Sequence, residues 1–313
     1  RVLFHTVRMQ FIGSLARIVI PSMASPVFLS DIVMADILTS CARTFADMRL
    51  VACQFLSLAW PGEAATCADT GIVGALLVAM PYAFRLRQCA NEYLNAPPAS
   101  AEAKRHFANA VKYASAFPVI CLSAMHRRAE IEASTMADAK HSSWIQRPVF
   151  ALWVLAVTFN SLYSYYWDVA FDWNLGHTSS GWKLADLVVP NDAALSSSPV
   201  ASDEMAELGG SHELASPADA LAHDALVPVA SKHSFPRLLR PRLCFTRPWL
   251  YYVAMAVDFL LRITWTMKLS SYIRIDQMAF GGLWLNILEV YRRWQWTFLR
   301  IEKEAAAAAA AVS

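Results

Sequence analysis

The chain has 313 residues, 56% of them hydrophobic, 12% aromatic and 17% charged, with 27 Lys and Arg against 25 Asp and Glu. With a positive mean hydropathy, this composition is too apolar for an ordinary soluble protein of its length and points to a polytopic membrane protein. A net charge of +2, with the basic residues scattered along the chain, argues against a nucleic-acid partner.

The first segment, Val2 to Ile20, has a helical apolar pattern interrupted by His5, Arg8, Gln10 and Arg17, and reads as an interfacial helix or the remnant of a further span. Six spans follow, at Pro26–Asp47, Gly71–Arg85, Phe107–Met125, Val149–Trp167, Trp249–Leu269 and Ala279–Leu299. Each comes close to the ~20 apolar residues that a bilayer core demands. The expected fold class is therefore all-α: a membrane helix bundle of about six transmembrane helices plus a partial N-terminal one.

Lys and Arg cluster between the second and third spans, between the fourth and fifth, and after the last, whereas Trp60 to Thr70 has none. The positive-inside rule then places both termini in the cytosol, against the dissent of Arg127, Arg128, Lys140 and Arg147. From Ser179 to Ser234 the composition turns to Ala, Ser, Asp, Glu and Pro, as expected of a disordered cytosolic insertion. Residues 305–313 read as a low-complexity tail on a single membrane domain spanning 1–313. The chain opens at Arg1 without methionine or a leader-type segment, which reads as a piece of a longer protein. Its six cysteines lie far apart, with no Cys-x-x-Cys, and read as small core residues without a disulfide framework, a metal site or an implied cofactor.

The informative residues are the ionisable ones inside the spans, because charge at membrane depth is rare and faces a cavity or a partner. Asp36, Ser40, Arg43 and Asp47 share one helical stripe. Lys112 precedes Tyr113, Asp168 and Asp172 stand one turn apart, and Asp258 and Arg262 are spaced i, i+4 with Trp265 three residues further on. The last span carries Glu289 with Arg292 and Arg293. Each pair taken singly could be an intrahelical ion pair or a headgroup anchor. Every span except the second contributes such residues, however, and a polar path through a bundle requires that. Lys112, Arg262, Arg292 and Arg293 suit an anion, since arginine's fork holds two oxyanion oxygens at once. Nearby acids would pair these cations when the site is empty and let the ion leave.

The stretch LEVYRRWQWTFLRIEKE, residues 288–304, resembles the signature at the end of the EXS domain of phosphate exporters related to the Erd, Xpr and Syg proteins. ADILTSCARTFAD (35–47), KYASAF (112–117), YSYYWDVAFDWNLG (163–176) and YYVAMAVDFLLRITW (251–265) are similar to the same family, in the same order. The resemblance implies a membrane bundle that conducts inorganic phosphate. In it Lys112, Arg262, Arg292 and Arg293 line the path, while Asp36, Ser40, Tyr113, Asp168, Asp172, Trp265 and Glu289 shape or gate it. Trp296 to Glu304 is then expected to be the helix's exit into the cytosol, where charge is uninformative.

No SPX domain is visible, so the chain looks more like the Erd-type Golgi branch, which the resemblance associates with returning phosphate from the Golgi lumen to the cytosol. That branch also implies Golgi glycosyltransferases or their sorting adaptors as partners. A homodimer stays open, as does a plasma-membrane exporter whose SPX domain lies outside this sequence. Two rival classes are a sorting factor without transport and a membrane phosphotransferase holding a divalent metal on Asp168 and Asp172. The enzyme is disfavoured, because the DxxxD spacing is common and no glycine-rich phosphate loop accompanies it.

Overall fold

A computed structural model describes residues 4–20, 26–59, 72–135, 139–176, 183–187, 238–240, 243–245, 247–263 and 281–312. Among these the fold is helical, with no strand element. The chain divides into two compact units, residues 1–163 and 164–313, the division falling inside one long helix.

The first unit is built around α4 (Ile72–Asn95), which packs against α2 (Leu29–Ser40), α3 (Ala42–Ala59), α5 (Ala101–Ala114) and α6 (Ala116–Thr135). Helix α1 (His5–Val19) lies on α2, and the unit includes α7 (Ala139–Trp167) as far as Tyr163. The breaks between successive helices have local causes. Pro118 lacks the N–H that would bond the Ala114 carbonyl, and α5 gives way to α6 at Ser115. The Thr39 hydroxyl donates to the Asp36 carbonyl at 2.7 Å just before the break at Cys41, and such back-bonding bends helices. At its start, α5 is capped by Ser100, whose Oγ accepts from the Ala103 N–H at 3.0 Å.

The second unit holds a single π-helical turn, Asp168–Asp172, in direct continuation of α7. A short 3-10 turn at Leu184–Leu187 follows, then α8 (Trp249–Ile263) and α9 (Gly281–Val312). Its core joins Val169, Trp173 and Leu175 to Leu239, Leu243, Tyr251, Met255, Trp296 and Leu299.

Several expected boundaries shift. The span Pro26–Asp47 is two helices, and the span Phe107–Met125 straddles the Ser115 break. Gly71–Arg85 is only the first part of a helix that continues to Asn95. By length and composition, two helical runs among the described residues, Ala101–His126 and Pro148–Asp172, could cross a bilayer. The count of six is not carried by that criterion. Helix α9 contains Glu289, Arg292 and Arg293 within its apolar part, and the fifth expected span is described only as far as Ile263.

Within the insertion expected to be disordered, Lys183 to Leu187 are folded. The Leu184 N–H donates to the Gly176 carbonyl at 3.0 Å, and the Tyr166 hydroxyl donates to the Leu184 carbonyl. The rest of 179–234 lies outside the described residues. The expectation of unpaired cysteines also needs correcting, because Cys53 is disulfide-bonded. Cys41, Cys89, Cys121 and Cys244 are free.

In both units charged side chains are buried while large apolar ones are exposed. Asp36, Arg85, Asp168, Asp258 and Arg292 are buried. Leu152, Leu155, Phe159 and Leu162 of α7, and Leu283, Trp284, Val290, Trp294 and Phe298 of α9, are exposed.

Candidate functional site

The π turn is the pivot of the second unit. Its wider hydrogen bonding, with the Trp173 N–H donating to the Asp168 carbonyl at 2.8 Å, sets Asp168 and Asp172 against two successive levels of α9. Single π turns of this kind are frequent at functional sites. Opposite them Arg292, Trp296 and Arg300 recur every fourth residue, which places them on one face of α9.

At the first level Asp168 accepts a hydrogen bond from Arg262 Nη2, and Arg262 Nε donates to Asp258 Oδ2 at 3.1 Å. Arg292 donates twice to Glu289, from Nε at 2.9 Å and from Nη2 at 2.5 Å. Its remaining nitrogen, Nη1, stands 3.6 Å from Asp258 Oδ1 and 3.8 Å from Asp168 Oδ2. Those are ion-pair separations, too long for hydrogen bonds. Arg292 Nη1 and Asp258 Oδ1 are thus both buried and without a hydrogen-bond partner among the described residues. A buried polar atom left unpaired is costly, so each calls for an explanation.

At the second level Asp172 accepts from Trp296 Nε1 and from Arg300 Nη1, both at 3.1 Å, and Arg300 Nη2 also meets Glu304 at 3.1 Å. Arg293 points elsewhere than its neighbour: its guanidinium carbon lies 4.8 Å from the centre of the Trp296 ring.

Two residues beyond Arg300, Glu302 is buried and accepts from the Cys244 N–H at 2.8 Å and from the Tyr251 hydroxyl, with Arg240 Nη2 2.6 Å away. Arg240 Nη1 in turn donates to the Trp173 carbonyl at 2.6 Å. Burial pushes the neighbouring Cys244 thiol above its ordinary pKa, with the Glu302 carboxylate acting in the same direction. The segment Trp296–Glu304, expected to be a helix exit where charge is uninformative, therefore carries a buried carboxylate at Glu302. Glu302 has partners in the loop before α8, and Arg300 has one at the π turn.

In the first unit Asp36 Oδ1 accepts from Arg85 Nε at 2.9 Å and from the Tyr113 hydroxyl at 2.6 Å. Arg85 also donates to Gln88 at 2.5 Å and lies 4.7 Å from the centre of the Tyr113 ring, while Lys112 Nζ sits 5.0 Å from the same ring centre. Ser40 is half-buried. A separate cavity of about 290 Å³ is lined in part by Arg43, Asp47, Arg49, Tyr82, Ser123 and Asn160. The expected stripe thus divides at the Cys41 break: Asp36 turns to Arg85, whereas Arg43 and Asp47 line the cavity.

Of the residues singled out from the sequence, Asp36, Lys112 and Tyr113 come together in the first unit. Asp168, Arg262, Glu289 and Arg292 come together in the second, with Asp172 and Arg293 around Trp296. Trp265 lies outside the described residues. The reading that the second span contributes no ionisable group is corrected by Arg85, which is 2% exposed. The signal was present in Arg85, Gln88 and Asn91, a polar row at three-residue spacing that continues past the apolar window. Arg240 and Glu302 carried no local signal, since 58 or more residues separate Glu302 from its partners Cys244 and Arg240.

Residues 1–306 match the EXS family. The chain is 25% identical over 295 residues to Protein ERD1 homolog 1 of Schizosaccharomyces pombe, covering 90% of this chain and 59% of that protein. It is 26% identical over 281 residues to Protein ERD1 of Kluyveromyces lactis, covering 87% and 58%. Solute carrier family 53 member 1 of Mus terricolor is 23% identical over 290 residues, covering 88% of this chain and 32% of that protein. The chain thus spans less than three fifths of the length of these relatives.

Proposed function

The chain belongs to the EXS family, and on that premise we propose that it is a membrane helix bundle that conducts inorganic phosphate without covalent chemistry. Buried charge together with exposed apolar surface supports the membrane setting. Exposed leucines, phenylalanines and tryptophans suit a lipid surround, and carboxylates and guanidinium groups at membrane depth face the bundle interior. The observation that carries the anion reading is Arg292 Nη1, a buried guanidinium nitrogen with donors to spare. An oxyanion would satisfy it, and the carboxylates around it would compete with that ion and let it leave. That a relative is named a solute carrier supports transport over sorting alone.

In this reading six spans cross the bilayer with both termini cytosolic. The disulfide at Cys53 fits, because it follows the first span on the side where the loop has no Lys or Arg, and disulfides persist in oxidising compartments. Lys112, Arg85, Asp36 and Tyr113 serve the path in the first unit, and Arg262, Arg292, Asp168 and Glu289 in the second. The resemblance of the sequence motifs to the Erd-type branch favours the Golgi as the site of action, with phosphate passing from lumen to cytosol.

Phosphate flux through the full chain reconstituted in lipid vesicles tests the reading. Protein-dependent flux is expected. Its absence from correctly folded, inserted protein would favour a sorting factor acting on Golgi glycosyltransferases.

A further inference from the structure

The two unpaired atoms of the first level form a matched set. Arg292 Nη1 is a donor and Asp258 Oδ1 an acceptor, 3.6 Å apart. Asp258 is 0% exposed and Arg292 is 6% exposed, and neither atom has a hydrogen-bond partner among the described residues. The other halves of both side chains are occupied. Arg262 holds Asp258 Oδ2, and Glu289 holds Arg292 Nε and Nη2. What remains is one nitrogen with its N–H donors beside one carboxylate oxygen, with Asp168 Oδ2 3.8 Å from the same nitrogen.

Adjacent oxygens of one tetrahedral anion can meet both atoms only under a condition. The oxygen at Arg292 accepts, so it is unprotonated. The oxygen at Asp258 faces a carboxylate that can only accept, so it must carry a proton. Hydrogen phosphate and dihydrogen phosphate have such an O–H at neutral pH. Sulfate has the same shape but no proton, and it would set a bare oxygen against a bare carboxylate inside a buried site.

We propose that Asp258 is a specificity-determining residue, accepting a hydrogen bond from the protonated oxygen of phosphate while Arg292 donates to its neighbour, so that the path rejects unprotonated tetrahedral oxyanions. The proposal rests on the phosphate reading above. Sites built to bond a substrate hydroxyl reject analogues that lack it far more strongly than apolar pockets reject a size change. Arsenate, which carries a proton as phosphate does, should pass the same filter.

The test uses the full chain in lipid vesicles, with phosphate flux measured against added arsenate or sulfate. Arsenate is expected to compete at concentrations close to those of phosphate, and sulfate to need at least about tenfold more. Asp258→Asn, whose amide can donate to a bare oxygen, is expected to lower phosphate flux and to shift the sulfate-to-phosphate preference toward sulfate by about tenfold or more. Equal competition by sulfate in the unmutated protein overturns the proposal while leaving phosphate conduction standing. So does an Asp258→Asn variant that inserts and conducts with an unchanged preference. Should that variant fail to fold, the competition series on the unmutated protein decides the matter alone. Absence of any phosphate flux from the unmutated protein is a separate outcome: it removes the functional reading itself, and this proposal with it.

Discussion

Arg85 and Asp36 meet at 2.9 Å with side chains 2% and 3% exposed, joining α4 to α2 inside the first unit. The Tyr113 hydroxyl closes on the same carboxylate oxygen at 2.6 Å, so three helices converge on one charge. Removing one member of a buried pair leaves the other charge uncompensated, at a cost of about 3–5 kcal/mol. Replacing both by apolar residues of similar volume restores much of that loss. Asp36→Ala is therefore expected to lower thermal stability in detergent sharply, and Asp36→Leu with Arg85→Met to recover most of it without recovering phosphate flux. A single substitution that leaves the melting temperature unchanged would show that the pair does not hold the unit together.

Gly176 closes the π turn onto the 3-10 turn. Its φ is +86°, and a Cβ there would lie 2.6 Å from Leu184 Cβ. A side chain is resisted twice, by conformation and by contact. Gly176→Ala is expected to destabilise the second unit by about 1–3 kcal/mol. Adding Leu184→Ala is not expected to recover the whole loss, since Cβ remains at both positions. Full recovery in the double variant would mean that the backbone conformation contributes little.

The excursion that follows is tied at its base. The Gly176 N–H donates to the Leu238 carbonyl at 2.8 Å, and the Gly176 carbonyl accepts from Leu184 at 3.0 Å. Replacing residues 190–234 by a short Gly/Ser linker is thus expected to leave flux and melting temperature nearly unchanged. Starting the deletion at Ser179 removes Leu184 and should destabilise the protein measurably. Equal stability of the two deletions would contradict a structural role for the 3-10 turn.

The sequence made the helical class legible because long apolar windows survive any packing arrangement. It also brought out most charged members of the two clusters, since charge within an apolar window stands out regardless of partner. Arg85 was obscured because hydropathy marks a span's end at its first charges, and α4 simply continues as a helix with a polar buried row. Trp296 to Glu304 misled for the same reason: dense charge resembles an exit into water, whereas Glu302 is buried among groups brought from the loop before α8. The pairing of Cys53 depends on spatial proximity, which spacing alone does not reveal.

Arginines adjacent in sequence part company in space, and this separation makes the sharpest test. Arg292 is buried among Glu289, Asp168 and Asp258, while Arg293 lies over the Trp296 ring. Phosphate flux in lipid vesicles, normalised to inserted protein, should be compared for Arg292→Lys and Arg293→Lys. Lysine keeps the charge and loses the fork. Hydrogen bonds to charged groups contribute about 1.5–3 kcal/mol, so Arg292→Lys is expected to reduce flux roughly tenfold to a hundredfold, with Arg293→Lys within about threefold of the unmutated protein. Equal flux through both variants and the unmutated protein would contradict the proposal that Arg292 is a phosphate ligand.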